Sequence, residues 1–242
     1  MMKCKCSKKH LIGPSDCDHT SRLGMPETFD MFMDIAAEHA ERLNVGATFM
    51  MEKGMFWLTA KTRIHMYKRP FMMQEVNIET WPLKPRSVQE IRDYRITDDN
   101  GFVFAEGKTQ WAMLDMKNGG LIKFDTFFPT DIDFVEEAVL DEPFARISDD
   151  VSDCEEYASY KVGSSDIDLG GHMNNVAYVK ALFGTFSTKE LDELKIKDCE
   201  VCYKNSCYEG DDLVFYRRAK NSHLEIVVKN QRGEVAILAK LQ

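Results

Sequence analysis

Between Ser164 and Asn175 the chain reads SSDIDLGGHMNN. The stretch places a carboxylate, Asp168, ahead of a glycine pair, a histidine and two asparagines. Gly170 and Gly171 let the backbone bend tightly and let a ligand approach it closely. An aspartate in this setting can take a proton from water or attack a carbonyl itself. His172 can orient a reacting group. Asn174 or Asn175 can cap the helix that the following VAYVKALFGTF predicts, and the N–H groups at a helix start can face a developing oxyanion. Asp, Asn and Gly are also what any strand-to-helix turn prefers, so the residue types by themselves admit a turn without chemistry.

An echo lies upstream. Ser15-Asp16-Cys17-Asp18 and Ser165-Asp166-Ile167-Asp168 are both S-D-x-D, and each follows a strand-like run and precedes a helix. In the first copy, apolar residues from Met25-Pro26 onward fall at Phe29, Phe32, Met33, Ala36, Ala40 and Leu43, one face of a helix that Gly46 ends. Then the period changes to two. In WLTAKTRIHMY, alternation predicts Leu58, Ala60, Thr62, Ile64 and Met66 on one face and Thr59, Lys61, Arg63 and His65 on the other. Further strand-like runs are VNIETWPL, SVQEIRDYRITD and FVFAEGKTQWAMLDM, punctuated by Lys84-Pro85-Arg86, Asp98 to Gly101 and Asn118-Gly119-Gly120. Residues 128–153 are charged and proline-punctuated and read as a linker with a short helix. The pattern then restarts: YASYKVG is strand-like, a helix carries Val176, Val179, Phe183 and Phe186 on one face, and CEVCYKNSC, DDLVFYRRA, HLEIVVKN and EVAILAKL are strand-like. The shared order makes an internal duplication. The expected organisation is a first repeat over residues 1–127, the linker, and a second repeat over 154–242 that holds the reactive motif.

DIDLGGHMNNVAY resembles the D-x-D-x-x-G-H-x-N-N-x-x-Y signature of hotdog-fold acyl thioesterases. PSDCDHTSRLGMPETFDMFMDIAAEHAE, FWLTAKTRIHMYKRP and AEGKTQWAMLDMKNGGLIKF extend the likeness over nearly the whole chain, in an order similar to the acyl-ACP thioesterases of plants and bacteria. The resemblance implies an α+β tandem (double) hotdog, in which two antiparallel sheets each wrap a central helix. It implies hydrolysis of fatty acyl thioesters of acyl carrier protein in fatty acid biosynthesis, with no cofactor and no metal. It assigns the chemistry to Asp168, His172, Asn174 and Asn175, with Cys207 a neighbour of the site. The ordinary reading of Cys207 is a small buried apolar residue. Two positions depart from the plant pattern: Gly170 stands where an asparagine is expected, and Ser206, ahead of Cys207, where a glutamate is. Thioesterases of the single-hotdog type work without that asparagine, which makes Asp168 the most transferable residue. An acyl-CoA thioesterase and a non-catalytic binder of acyl thioesters are the alternatives.

An acyl chain needs an apolar tunnel, and Phe29, Met33, Met55, Trp57, Met66 and Trp111 are candidates, although ordinary core explains most such residues. The net charge of −9 argues against broad nucleic-acid binding. Local basic clusters at Lys68-Arg69, Lys84 with Arg86, and Arg217-Arg218 with Lys220 are either solvated strand ends or a dock for an acidic carrier protein. The start, MMKCKCSKKH, lacks the apolar stretch of a signal peptide, and no apolar run is long enough to span a bilayer. Seven cysteines, an odd number, do not form a disulfide framework. The expected location is therefore cytoplasmic. Cys4, Cys6, His10, Cys17 and His19 are too irregularly spaced for a zinc site. Duplication lets one chain mimic a hotdog dimer, so a monomer or a homodimer is expected.

Overall fold

The computed structural model describes residues 2–242, which divide into two compact units, Met1–Glu142 and Pro143–Gln242. The first unit contains β1 (Met2–Lys3), β2 (Cys6–Leu11), α1 (Met25–Arg42), α2 (Ala47–Glu52), β3 (Met55–Met66), β4 (Glu75–Pro82), β5 (Glu90–Thr97), β6 (Val103–Asp115), β7 (Leu121–Ile122) and β8 (Ile132–Asp133). Its sheet runs β2-β4-β5-β6-β3, antiparallel throughout, with β7 on β6. The second unit contains β9 (Glu155–Lys161), α3 (Asn175–Gly184), α4 (Thr188–Leu194), β10 (Asp198–Tyr203), β11 (Asp212–Ala219), β12 (Leu224–Asn230) and β13 (Val235–Leu241). Its sheet runs β10-β13-β12-β11-β9, also antiparallel.

In the first unit α1 lies along the sheet. Phe29, Phe32, Ile35, Ala36 and His39 are buried at helical spacing, and each large apolar side chain so removed from water contributes about 1.5–3 kcal/mol. The helix can settle closely because β6 has Gly107 at the crossing: a Cβ there would stand 2.7 Å from the Phe32 ring. Phe32 then stacks on Tyr94 of β5 with ring centroids 4.7 Å apart. In the second unit α3 has ten residues, shorter than α1. It buries Val176, Tyr178, Val179, Ala181 and Leu182, while Phe186 is buried just beyond its end.

Two expectations change. On β3 the register shifts between Thr59, which pairs with Trp111, and Lys61, which pairs with Gln110. Ala60 is the extra residue of a bulge. Alternation therefore inverts across it: Thr62, Ile64 and Met66 are buried as expected, but Thr59 is buried and Leu58 is exposed. The segment 128–153 contains no helix among the described residues. It runs extended, and its groups satisfy partners in the sheets they cover. Ile132-Asp133 pairs in parallel with Met2-Lys3; Phe128 and Ile132 join Phe124, Leu43, Val45, Met50 and Met113 in a buried cluster; the Val139 N–H donates to Asp93 at 3.2 Å. Further on, the Ala145 N–H donates to Glu200 at 2.6 Å, and Ile147 and Val151 pack on Cys202, Val227 and Leu238.

Candidate functional site

Asp166 and Asp168 belong to one junction between β9 and α3. Asp166 closes a 3-10 turn over Ser164–Asp166. Its Oδ2 accepts the Gly163 N–H at 2.8 Å and the Tyr160 hydroxyl at 2.8 Å, and its carbonyl accepts the Asn174 N–H at 2.7 Å. Asp168 opens a tight loop. Its N–H donates to the His172 carbonyl at 2.9 Å, and its own carbonyl accepts the Gly171 N–H at 3.0 Å. Gly171 has φ +76°, the left-handed conformation that only glycine adopts without strain. The loop is pinned by an Ile167–Met173 bridge, and the Asn174 side chain then caps α3 by accepting the Val176 N–H at 2.8 Å.

Within this loop the Asp168 carboxylate is partly exposed and accepts the Gly170 N–H through Oδ1 at 2.8 Å. No cation pairs with it among the described residues. His172 is half-buried, its ring 5.3 Å from that of Tyr208. Cys207, not on a strand but in the loop after β10, is brought to the same place: its carbonyl accepts the Met173 N–H at 2.8 Å, and its N–H donates to the Tyr178 hydroxyl at 2.9 Å. The thiol is fully buried, and burial pushes its pKa up, so it is held protonated rather than poised as a nucleophile. Tyr203 donates from its hydroxyl to the Asn175 carbonyl at 3.1 Å. The structure thus gathers all five residues singled out from the sequence around one loop and helix start.

Sequence reasoning missed the supports. Tyr178 is buried and holds the Cys207 loop. The Asp211 carboxylate accepts the Tyr208 N–H at 3.0 Å and is met by Gln231 at 2.6 Å and Arg232 at 3.3 Å. Burial opposes its ionisation, but these donors outweigh burial and hold its pKa below the usual value. Tyr178 was visible as the last position of the motif. Asp211 carried no local signal, because its side-chain partners, Gln231 and Arg232, come from the turn after β12. Glu209, the one carboxylate near Ser206 in sequence, is exposed.

The first unit repeats the backbone bonds of the junction. Asp16 accepts the Gly13 N–H at 2.7 Å and bonds His10 at 2.8 Å; the Asp18 N–H donates to the Arg22 carbonyl at 3.0 Å, and the Ser21 N–H to the Asp18 carbonyl at 3.0 Å. The Leu23 N–H donates to the Pro70 carbonyl at 3.0 Å, as Met173 does to Cys207. By that bond Arg69 occupies the place of Ser206. The consequence is chemical. Asp18 accepts the Thr20 N–H and hydroxyl at 2.9 and 2.6 Å, and Arg69 pairs with it at 2.5 Å while donating to the Leu23 and Arg22 carbonyls. Burial raises the Asp18 pKa, but Thr20 and Arg69 more than reverse this and hold it low. In the second unit Gly170 and the exposed Ser206 replace Thr20 and Arg69, and Asp168 keeps only a backbone donor.

Residues 3–124 match the acyl-ACP thioesterase N-terminal domain and residues 150–241 the acyl-ACP thioesterase C-terminal domain. The chain belongs to the acyl-ACP thioesterase family. Among curated relatives, the chloroplastic oleoyl-acyl carrier protein thioesterase 2 of Arabidopsis thaliana is 25% identical over 223 residues, 83% of this chain and 59% of that protein. The chain thus spans less than two thirds of the length of that relative. Solved structures share the fold. An acyl-ACP thioesterase from Bacteroides thetaiotaomicron superimposes with a TM-score of 0.81 at 20% identity, covering 98% of this chain and 96% of that one. The 12:0-ACP thioesterase from Umbellularia californica gives 0.80 at 15% identity, covering 100% and 98%. Both units of the chain accordingly have the α+β hotdog form, a sheet wrapped on a helix. No helix among the described residues is long and apolar enough to cross a membrane.

Proposed function

We propose that this chain hydrolyses fatty acyl thioesters of acyl carrier protein, releasing free fatty acid and carrier in the cytoplasm. The observation that carries the reading is the contrast between the two junctions: Asp18 is neutralised by Arg69, whereas Asp168, in the loop before α3, pairs with no cation among the described residues. Asp168 is the general base. It takes a proton from water as the water oxygen adds to the thioester carbonyl. The tetrahedral oxyanion collapses, the carbon–sulfur bond breaks, and the carrier thiolate leaves and is reprotonated. The start of α3, fixed by the Asn174 cap, offers positive dipole to the oxyanion, and His172 orients the thioester or the water. Asn175 organises the helix start. Cys207 acts through its backbone, by holding Met173 and Tyr178 in register.

The acyl chain takes an apolar slot. Of the residues suggested for it, Phe29 and Met66 are fully buried, whereas Met55 and Trp57 are part-buried against the Leu43 cluster, and Trp57 meets Trp111 edge-on at 5.9 Å. Met55, Trp57 and Trp111 are therefore the better wall. For the carrier, three basic clusters reduce to one. Arg69 is spent on Asp18, which leaves Lys68 a single charge over the Phe102 ring; Arg217 pairs with Glu155 and Glu190, Arg218 with Glu225 and Asp153, and Lys220 with Asp153. Lys84 and Arg86 are exposed without an ion pair among the described residues, and they are the proposed dock.

The test is Asp168→Asn assayed on acyl-ACP. Loss of a general base costs roughly 10²–10⁴-fold in turnover, with the melting temperature unchanged. Retained turnover sinks the role of Asp168. Assaying one acyl chain on acyl carrier protein and on coenzyme A separates the two carriers, and tight acyl-ACP binding without release of fatty acid would identify a binder instead.

A further inference from the structure

The turn that follows Cys207 has a counterpart in the first unit, and the two share their backbone bonds. The Met73 N–H donates to the Ile12 carbonyl at 2.8 Å, and the Ile12 N–H to the Gln74 carbonyl at 3.0 Å; the Gly210 N–H donates to the Val162 carbonyl at 2.9 Å, and the Val162 N–H to the Asp211 carbonyl at 2.9 Å. The Gln74 N–H closes its turn on the Phe71 carbonyl at 3.1 Å, and the Asp211 N–H on the Tyr208 carbonyl at 3.0 Å. Phe71 thus stands for Tyr208, Gln74 for Asp211, and Arg22, whose carbonyl accepts from Asp18, for His172. The aromatic ring meets the same partner position in each unit: the Arg22 guanidinium carbon lies 3.7 Å from the Phe71 ring centroid, and the His172 and Tyr208 ring centroids are 5.3 Å apart. What holds the ring differs. The Phe71 N–H donates to the neutral Gln74 Oε1 at 3.1 Å, and the Tyr208 N–H to the Asp211 carboxylate at 3.0 Å, so the turn itself needs an oxygen and not a charge. The Asp211 carboxylate, in a residue only 5% exposed, is met by Gln231 at 2.6 Å and Arg232 at 3.3 Å, and Gln231 reaches back to accept the Asp212 N–H at 2.6 Å. Charge-assisted bonds are stronger than neutral ones, and these tie the Tyr208 turn to the turn between β12 and β13.

We propose that Tyr208 is a positioning residue for His172, its ring fixing the imidazole and the Asp211 anchor fixing the ring. The inference rests on the thioesterase reading for what His172 does. Asp211 holds both backbone groups of Tyr208, yet the residue is 48% exposed, so core packing does not account for the anchor. A ring on a loose turn would let the imidazole swing, and misplacing a reacting group by about 1 Å can cost on the order of 10²-fold in rate. In the first unit, where Arg69 neutralises Asp18, no such geometry is required, and a neutral glutamine suffices.

kcat and KM on acyl-ACP are measured for native protein, Tyr208→Leu, Tyr208→Phe and Asp211→Gln, the last copying the side chain of the first unit, with circular dichroism confirming the fold. Tyr208→Leu lowers kcat by roughly 10- to 100-fold with KM little changed, and Tyr208→Phe, which keeps the ring, recovers most of the loss. Asp211→Gln lowers kcat in the same way. Tyr208→Leu is repeated together with His172→Ala: there it has no further effect, since the group it positions is gone, whereas a merely structural loss would be the same in both backgrounds. The His172 imidazole resonance in the NMR spectrum, assigned by its absence from His172→Ala, moves in Tyr208→Leu and Asp211→Gln and stays near its native position in Tyr208→Phe. That readout decides the matter even where the native protein has no turnover and the thioesterase reading fails. Native kcat in Tyr208→Leu, an equal loss in both backgrounds, or an unmoved resonance overturns the proposal.

Discussion

Asp166 and Asp168 are two residues apart and have opposite tasks. Asp166 is saturated by Gly163 and Tyr160 and holds the turn; Asp168 is left part-exposed with one backbone donor, as its proposed role requires. Cys207 shows the same division within one residue. Its backbone bonds Met173 and Tyr178, while its buried thiol has a raised pKa. Cys207→Ser is therefore expected to keep hydrolysing acyl-ACP while lowering the melting temperature; a loss of turnover with stability intact would make the thiol catalytic after all. Asn174→Ala removes the cap of α3 and costs about 1 kcal/mol, measured by urea unfolding, and it lowers kcat because the helix start frays where the oxyanion forms. The motif made the geometry around Asp168 and Asn174 legible because their hydrogen bonds stay within the loop and the helix start. It could not separate the two functions of Cys207, which depend on a tyrosine a helix turn away and on how deeply the thiol is buried.

The two strand-to-helix junctions are nearly the same element with different electrostatics. The decisive change is a pair of side chains, Thr20 and Arg69 in one copy and Gly170 and Ser206 in the other. Ser206→Arg should rebuild the silent arrangement. An arginine beside an aspartate lowers its pKa by roughly 1–3 units, which weakens Asp168 as a base and cuts kcat by roughly ten- to a hundredfold. The acid limb of the pH–rate profile should move to lower pH, a shift that mere loosening of the loop would not produce. Unchanged kcat and an unchanged acid limb would show that position 206 does not reach Asp168. The duplication was readable in S-D-x-D and in the order of elements. The silencing was not, since Arg69 is more than forty residues from Asp18 in sequence and looks like any basic residue before a proline. The bulge at Ala60 is another such case: a run of perfect alternation conceals one inserted residue that only pairing with β6 reveals.

Across the whole molecule, acidic residues outnumber basic ones by forty to thirty-one. With a net charge of −9, docking of an acidic carrier needs a local basic site. Lys84→Glu with Arg86→Glu is expected to raise KM for acyl-ACP, more at low salt than at high, while leaving hydrolysis of a small uncharged thioester unaltered; equal effects on both substrates would exclude the dock. The buried charges of the first unit make its stability depend on pH in two directions. Burial raises Glu90 and Asp93 to about 7. Their contribution is complete below the ordinary carboxyl values near 4 and is lost as pH climbs to about 7. Burial, with Arg92 and Arg42 adding to it, lowers His39 to about 3. Its contribution is complete above the ordinary 6.5 and is lost as pH falls toward about 3. Urea unfolding across this range should show Glu90→Gln flattening the loss on the alkaline side and His39→Gln the loss on the acid side.

The sequence by itself determined the kind of most elements, the turns between them, the duplicated junction and the loop proposed here to be reactive. Each of these depends on neighbours a few positions apart, whose geometry the backbone dictates. Tertiary structure alone decided which aspartate is neutralised, which face of β3 turns inward, and which basic residues remain available to a partner. Those outcomes depend on pairings between distant strands, where burial turns an ordinary polar residue into one that must be matched.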